Sequence, residues 1–272
     1  MKPDFQSTHP TIRLWGGVPP GDETLDPTAL KAADFSRDDL DLVKFVTNPY
    51  LTLFRPPANI SCGTTVIICP GGAYEFLSFD KEGTEIACWL NTLGITAAIL
   101  AYRVPRRSQA DFHRGPVQDS RHAVTWLREN ADALGIRTDR IGMLGFSAGA
   151  HLALASTSIH EAGATAENRP DFVGAIYPAY LANEEIPSPL DPLFRSPDGF
   201  PPVFLSAAQN DMLRSYNAAQ FYLELFKSNI PTELHLYPEG GHGYGIRRSE
   251  FPASRWHLQF EEWLRCNLGF IR

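Results

Sequence analysis

From residue 65 onward the chain alternates between two patterns that suit different backbones. Short unbroken apolar runs, such as Thr65-Val66-Ile67-Ile68-Cys69, have no polar face and are too brief for a helix, which predicts strands buried on both sides. Between them lie longer stretches with apolar residues three and four apart. Strands are predicted over 65–69, 95–103, 140–145, 172–177, 202–207 and 233–237, with an earlier one over 49–56 that ends at a proline pair. Helices are predicted over 82–93, 117–134, 148–158, 216–227 and 254–267. The first of these carries Ile86, Trp89, Leu90 and Leu93 on one side and is closed by Gly94. Strands that alternate with single helices need right-handed crossovers. The predicted fold is therefore α/β, a mostly parallel central sheet with helices on both faces. Ligands in such folds sit beyond the carboxyl ends of the strands, so the residues just after each strand are the ones to inspect.

A chain of 272 residues, 43% of them hydrophobic, buries enough surface to need neither a metal nor a disulfide staple. Cys62, Cys69, Cys88 and Cys266 form no C-x-x-C pair and read as free, mostly buried thiols. The longest apolar run, Ile95 to Tyr102, is far short of a membrane span. Lys and Arg number 24 and Asp and Glu 31, so the net charge is −7, and no basic run stands out. Neither nucleic acid nor an anionic membrane is an expected partner. Met1-Lys2-Pro3-Asp4 leads into polar residues rather than an apolar signal core, and a cytoplasmic location is expected. Residues 1–47 are loop-rich and punctuated by prolines. They read as a segment packing on a catalytic domain of residues 48–272. A homo-oligomer is left open.

The sharpest local signal is Gly145-Phe146-Ser147-Ala148-Gly149, between a predicted strand and a predicted helix. A G-x-S-x-G segment in that context puts the serine at the apex of a sharp turn, where its neighbours two away have no room for a Cβ. The helix N-terminus behind it favours negative charge. Ser147 is the candidate nucleophile; a serine capping a helix among glycines is the plainer alternative. The strand over 65–69 runs into Pro70-Gly71-Gly72-Ala73-Tyr74, a place where main-chain N–H groups can hold an oxyanion. The candidate donors are the N–H groups of Gly72, Ala73 and Ala148.

In this chain order the acid and then the histidine follow the nucleophile. Five histidines follow Ser147, and only His242 lies on a flexible loop beyond a strand end, in Glu239-Gly240-Gly241-His242-Gly243-Tyr244-Gly245. It is the candidate general base. Asp211 is the one carboxylate between the strand over 202–207 and the helix that follows. It is the candidate that holds the histidine tautomer and stabilises its charged form.

These residues resemble the α/β-hydrolase superfamily, esterase/lipase branch, and within it small carbohydrate acetylesterases of the acetyl xylan esterase type. The resemblance is carried by Val66 to Tyr74, Ala101 to Pro105, Asp139 to Leu152, Tyr177 to Tyr180 and Gly240 to Gly245, and covers roughly residues 48 to 270. Where that family carries His-Gly-Gly-Gly, this chain has Pro70-Gly71-Gly72-Ala73. The resemblance implies hydrolysis of a small ester through an acyl-serine, with no metal or organic cofactor. No large cap domain is expected, because the insertion after Tyr177 is short and proline-rich, and this favours short acyl chains. The expected substrate is an acetylated sugar or oligosaccharide; a general short-chain esterase for alkyl and aryl esters is the alternative. An inactive binding module is a remoter one.

Tyr74 and Trp15 are candidate pocket residues, the latter as a sugar-stacking face or as packing of the N-terminal segment. Phe112-His113-Arg114 is a candidate cleft border. Asp119 and Arg121 read as helix-start and surface contacts. Arg247-Arg248 reads either as an attraction for an acidic sugar or as a solvated pair.

Overall fold

The computed structural model describes residues 9–31, 34–37, 39–160, 162–182 and 186–271. Among them ten strands and six α-helices follow one another as β1 (Thr11–Arg13), β2 (Leu42–Val43), β3 (Tyr50–Phe54), β4 (Thr65–Cys69), β5 (Leu77–Ser78), α1 (Glu85–Thr92), β6 (Thr96–Ala101), α2 (Arg114–Glu129), α3 (Ala131–Leu134), β7 (Ile141–Phe146), α4 (Ala148–Thr157), β8 (Val173–Ile176), β9 (Val203–Ala208), α5 (Met212–Lys227), β10 (Thr232–Tyr237) and α6 (Trp256–Glu262). Eight strands make one sheet in the order β1-β3-β6-β4-β7-β8-β9-β10. From β6 to β10 every pairing is parallel; β3 and β1 close the other end antiparallel. This is the doubly covered sheet of the α/β-hydrolase fold, and among the described residues no large cap covers it. Most of the apolar runs that predicted strands are buried, all five residues of β4 and all six of β7 among them, whereas β10 at the sheet edge is only partly covered. Side chains alternate along β4, so Ile67 and Cys69 join the core under α2, α4 and α5, while Val66 and Ile68 join the core under α1 and α6.

Several helix boundaries differ from expectation. The segment expected as one helix over 117–134 begins at Arg114, breaks at Asn130 and resumes briefly as α3 before left-handed Gly135 ends it. Pro116 sits in the first turn, where a missing N–H costs nothing. The segment expected from residue 82 opens with a wide turn over Asp80–Thr84 and becomes α-helical only at Glu85. The helix expected over 216–227 starts earlier, at Met212. The cysteines are free, but only Cys69 is buried; Cys62 is half-buried, and Cys88 and Cys266 are exposed.

Asp119 and Arg121 are not surface contacts. Both are buried, as is Arg103. Arg103 follows β6, and its guanidinium donates to Asp119 (3.0 Å), to Asp22 (3.3 Å), to Gln118 (2.9 Å) and to the carbonyls of Pro20 and Gly115 (both 2.8 Å). The Asp119 carboxylate also accepts from Trp15 Nε1 at 3.0 Å. Burial pushes the Asp119 carboxyl above its usual range, and Arg103 opposes that shift. One buried charge cluster thus fastens the N-terminal segment, through Trp15, Pro20 and Asp22, to the strand–helix body. Removing one member strands the opposite charge in a dry site, so Asp119→Ala is expected to destabilise the fold by about 3–5 kcal/mol in urea titration. A loss below about 1 kcal/mol would show that the cluster does not hold the segment.

Candidate active site

β7 runs straight into α4, and Ser147 lies between them at φ 54 and ψ −116, backbone that residues with a side chain rarely adopt. The turn closes because two neighbours lack side chains. A Cβ on Gly145 would collide with the Gly149 carbonyl, and one on Gly149 would collide with the carbonyl of Cys69 at the end of β4. The turn bearing Ser147 is therefore packed directly on the strand that leads into the glycine-rich loop.

His242 and Asp211 meet this serine from two later strand ends. His242 Nε2 lies 2.8 Å from Ser147 Oγ, and His242 Nδ1 lies 2.6 Å from Asp211 Oδ2. An ionised carboxylate only accepts, so this pairing puts the ring proton on Nδ1 and leaves Nε2 to accept the serine hydroxyl. Asp211 makes no side-chain bond to the start of α5, so it does not act as its cap. The preceding Asn210 holds the histidine loop instead: its side-chain oxygen accepts from the N–H groups of Gly240 (3.1 Å) and Gly241 (2.7 Å). The Tyr177 ring stands edge-on to the imidazole at 5.1 Å.

The loop after β4 is folded tightly back on itself. Gly72, Ala73 and Tyr74 have φ of 137, 55 and 61, and a Cβ on Gly72 would strike the Phe76 carbonyl. The Gly71 carbonyl accepts from Ser78, and the Gly72 carbonyl accepts from Glu75 and Phe76. In a trans peptide the N–H points opposite to the C=O, so these bonds turn the N–H groups of Gly72 and Ala73 away from the loop interior. Neither N–H is used by another described residue, nor is that of Ala148. Gly72, Ala73, Ser147 and His242 line one open cleft of ≈ 310 Å³.

The remaining walls come partly from segments without a sequence motif. Phe35, Arg37 and Leu40 enter from the N-terminal segment, and Lys81, Glu82, Tyr180 and Arg214 from the body. The Phe35 and Phe76 rings are parallel at 4.8 Å. Burial and nearby Arg247 and Arg37 lower Lys81, against the pull of Glu82. Glu82 is buried: one oxygen accepts from the Gly71 N–H (2.8 Å) and the other from the Tyr177 hydroxyl (2.7 Å). Burial pushes its carboxyl up, and these two bonds resist the shift. In sequence, Glu82 looks like an ordinary acid at a helix start.

Two expected pocket residues are corrected. Tyr74 is inaccessible, and its hydroxyl pairs with His151 Nδ1 at 2.8 Å inside an aromatic cluster with Phe112 and Tyr180. The left-handed turn at 73–74 drives the ring inward. Burial keeps Tyr74 well above and His151 well below their usual ranges, so both stay neutral. Trp15 stacks on His122 at 4.2 Å and donates to Asp119; it is packing, not a cleft wall. Phe112 belongs to the aromatic cluster rather than the cleft border. Arg247 is no free cation and does not line the cleft: its partly exposed guanidinium pairs with Glu85 (2.7 Å) and Asp80 (2.8 Å). Among the described residues no group of three His, Cys, Asp or Glu is placed to hold a metal ion, and no helix is long and apolar enough to cross a membrane.

Sheet order, elbow and glycine-rich loop together are those of the α/β-hydrolase fold. The family model BD-FAE matches residues 51–177. An acetylxylan esterase of Xylanibacter ruminicola is 28% identical over 213 residues, 70% of this chain and 42% of that protein. An ethyl acetate hydrolase of Pseudomonas putida is 33% identical over 107 residues, 37% of this chain and 31% of that protein. The chain thus spans well under half the length of these curated relatives. Among solved structures, an acetyl ester-xyloside bifunctional hydrolase from Caldicellulosiruptor lactoaceticus superposes with a TM-score of 0.73 at 28% identity, covering 96% of this chain and 97% of that one.

The strained turn has a measurable cost. Left-handed backbone at a residue with a Cβ stores about 1–3 kcal/mol, and a glycine there relieves it at an entropic cost of about 0.5–1 kcal/mol. Ser147→Gly is therefore expected to stabilise the fold by about 1 kcal/mol in chemical denaturation. Destabilisation by that amount would mean the elbow is relaxed.

Proposed function

We propose that this chain is a serine esterase that removes short acyl groups, acetyl above all, from carbohydrates, with Ser147, His242 and Asp211 as its catalytic residues. The observation that carries this reading is the unbroken chain of hydrogen bonds from Asp211 through His242 to Ser147, 2.6 and 2.8 Å long, at the floor of an open cleft. Ser147 Oγ attacks the ester carbonyl carbon as His242 Nε2 takes its proton. The carbonyl oxygen, now an oxyanion, is held by the N–H groups of Gly72, Ala73 and Ala148. The imidazolium, steadied by Asp211, passes the proton to the leaving alcohol oxygen as the C–O bond breaks. Water repeats the sequence on the acyl-serine and releases the acid. The cleft volume of ≈ 310 Å³ lies at the low end for ligand pockets, which suits a small acyl group. The exposed Phe35, stacked on Phe76, offers an apolar face of the kind that a sugar ring packs against.

A second reading, a general esterase of small alkyl and aryl esters, is favoured by the likeness to an ethyl acetate hydrolase. The deciding experiment compares aryl acetate, butyrate and octanoate with acetylated xylo-oligosaccharide, using Ser147→Ala as the blank. Fast acetate hydrolysis with release of sugar-bound acetyl is expected. Octanoate equal to acetate with no sugar deacetylation would replace this reading by the second. Asp211→Asn leaves the shape intact but replaces a carboxylate that only accepts by a neutral amide that can also donate to Nδ1, so the tautomer is no longer fixed. Its kcat is expected to fall by up to about 10⁴-fold; a near-native rate would place the acid elsewhere.

A further inference from the structure

We infer that Glu82 is a positioning residue, one that holds the oxyanion loop and the histidine loop in mutual register through Tyr177. The inference rests on the esterase reading above and adds to it a group that does not touch the reacting atoms.

A buried carboxylate is costly unless its oxygens are satisfied. Both are satisfied here, and each bond reaches a different part of the site. Oε2 accepts from the N–H of Gly71, at the root of the loop bearing Gly72 and Ala73. Gly71 has no slack: a Cβ placed on it would lie 2.7 Å from Glu82 Oε2, 2.8 Å from the Phe146 carbonyl and 3.0 Å from Ser147 Cβ. The hydrogen bond to the carboxylate therefore holds Gly71 close against the turn that carries the nucleophile.

Oε1 accepts from the Tyr177 hydroxyl, whose oxygen accepts in turn from the N–H of Gly245 at 3.2 Å. Gly245 closes the glycine-rich loop that carries His242, and its carbonyl is pinned by Trp256 Nε1 at 2.8 Å. Tyr177 is itself fixed at left-handed φ 41, with its N–H on the Ser206 carbonyl and its ring against His242 and Tyr244. One line of bonds, Gly71 to Glu82 to Tyr177 to Gly245, thus crosses beneath the site. It joins the loop after β4, the loop after β8 and the loop after β10.

The donor pattern makes a sensitive probe. Glu82 receives two hydrogen-bond donors. A glutamine offers one oxygen and one amide nitrogen, so Glu82→Gln turns an N–H either toward the Gly71 N–H, which can only donate, or toward the Tyr177 hydroxyl, which must then accept and give up its own bond to residue 82. Tyr177→Phe leaves the carboxylate in place but frees both Oε1 and the Gly245 N–H.

The test measures aryl acetate kinetics for the wild type, both single variants and the double variant, well below each melting temperature. Active sites are counted by titration with a serine-reactive phosphonate. The expected result is a loss in kcat of about 10- to 100-fold in Glu82→Gln with KM within about threefold, since sub-ångström misplacement costs the transition state more than substrate binding. Tyr177→Phe should lose kcat in the same sense. The double variant should be little worse than the poorer single one, because both cut one line of bonds. A lower melting temperature with kcat per titrated site unchanged would overturn the inference, as would losses that multiply. Should Glu82→Gln fail to fold, Tyr177→Phe alone decides by the same kcat criterion. A wild type that hydrolyses no ester would sink the esterase reading. An active wild type with an equally active Glu82→Gln would sink only the role of Glu82.

Discussion

The site depends on a contact between two backbones. Gly149, in the first turn of α4, lies so close to the Cys69 carbonyl that not even a methyl group fits between them. That approach brings the end of β4 and the end of β7, neighbours in the sheet, together at a single point. The proposed nucleophile and the proposed oxyanion loop meet there without any side chain between them. The parallel register that pairs Cys69 with Gly145 sets up the same proximity one layer below. Neighbouring parallel strands end side by side, so the fold places two loops next to each other at no further cost, and the glycines close the last few ångströms.

Legibility in the sequence followed the kind of force at work. The sheet was readable because a strand covered on both faces must be apolar along its whole length, and few other structures demand that of five-residue runs such as Thr65–Cys69. The convergence of Ser147, His242 and Asp211 was readable because each sits beside a glycine turn or a strand end that betrays its place. Tyr74 was misread for a geometric reason: nothing in Gly72-Ala73-Tyr74 announces two successive left-handed residues, and that backbone decides whether the ring faces the cleft or the core. Glu82 and Arg103 were hidden for another reason. Each looks like an ordinary surface charge until the fold assembles partners from distant segments, as when Asp22 and Asp119 converge on one guanidinium.

The two buried charge clusters work in different ways. Arg103 meets its own opposite charge, and the pair is tied further to backbone carbonyls, so the cluster behaves as a clamp on the N-terminal segment. Glu82 meets no opposite charge at bonding distance among the described residues; neutral N–H and O–H groups satisfy it. A charge solvated by fixed dipoles is sensitive to where those dipoles sit. Such a group suits the fixing of loop geometry, whereas the arginine cluster suits attachment.

The N-terminal segment lends Phe35, Arg37 and Leu40 to a cleft whose proposed reacting groups all belong to the strand–helix body. Part of the wall proposed to meet the substrate is therefore written in a separate stretch of chain from the machinery proposed to cleave it, joined to the body mainly at the Arg103 clamp and along β1. Changes in the segment can remodel what is recognised without disturbing any strand that carries the chemistry. A lineage with this architecture can diversify its preferences at its leading edge while the interior stays under strict packing constraint.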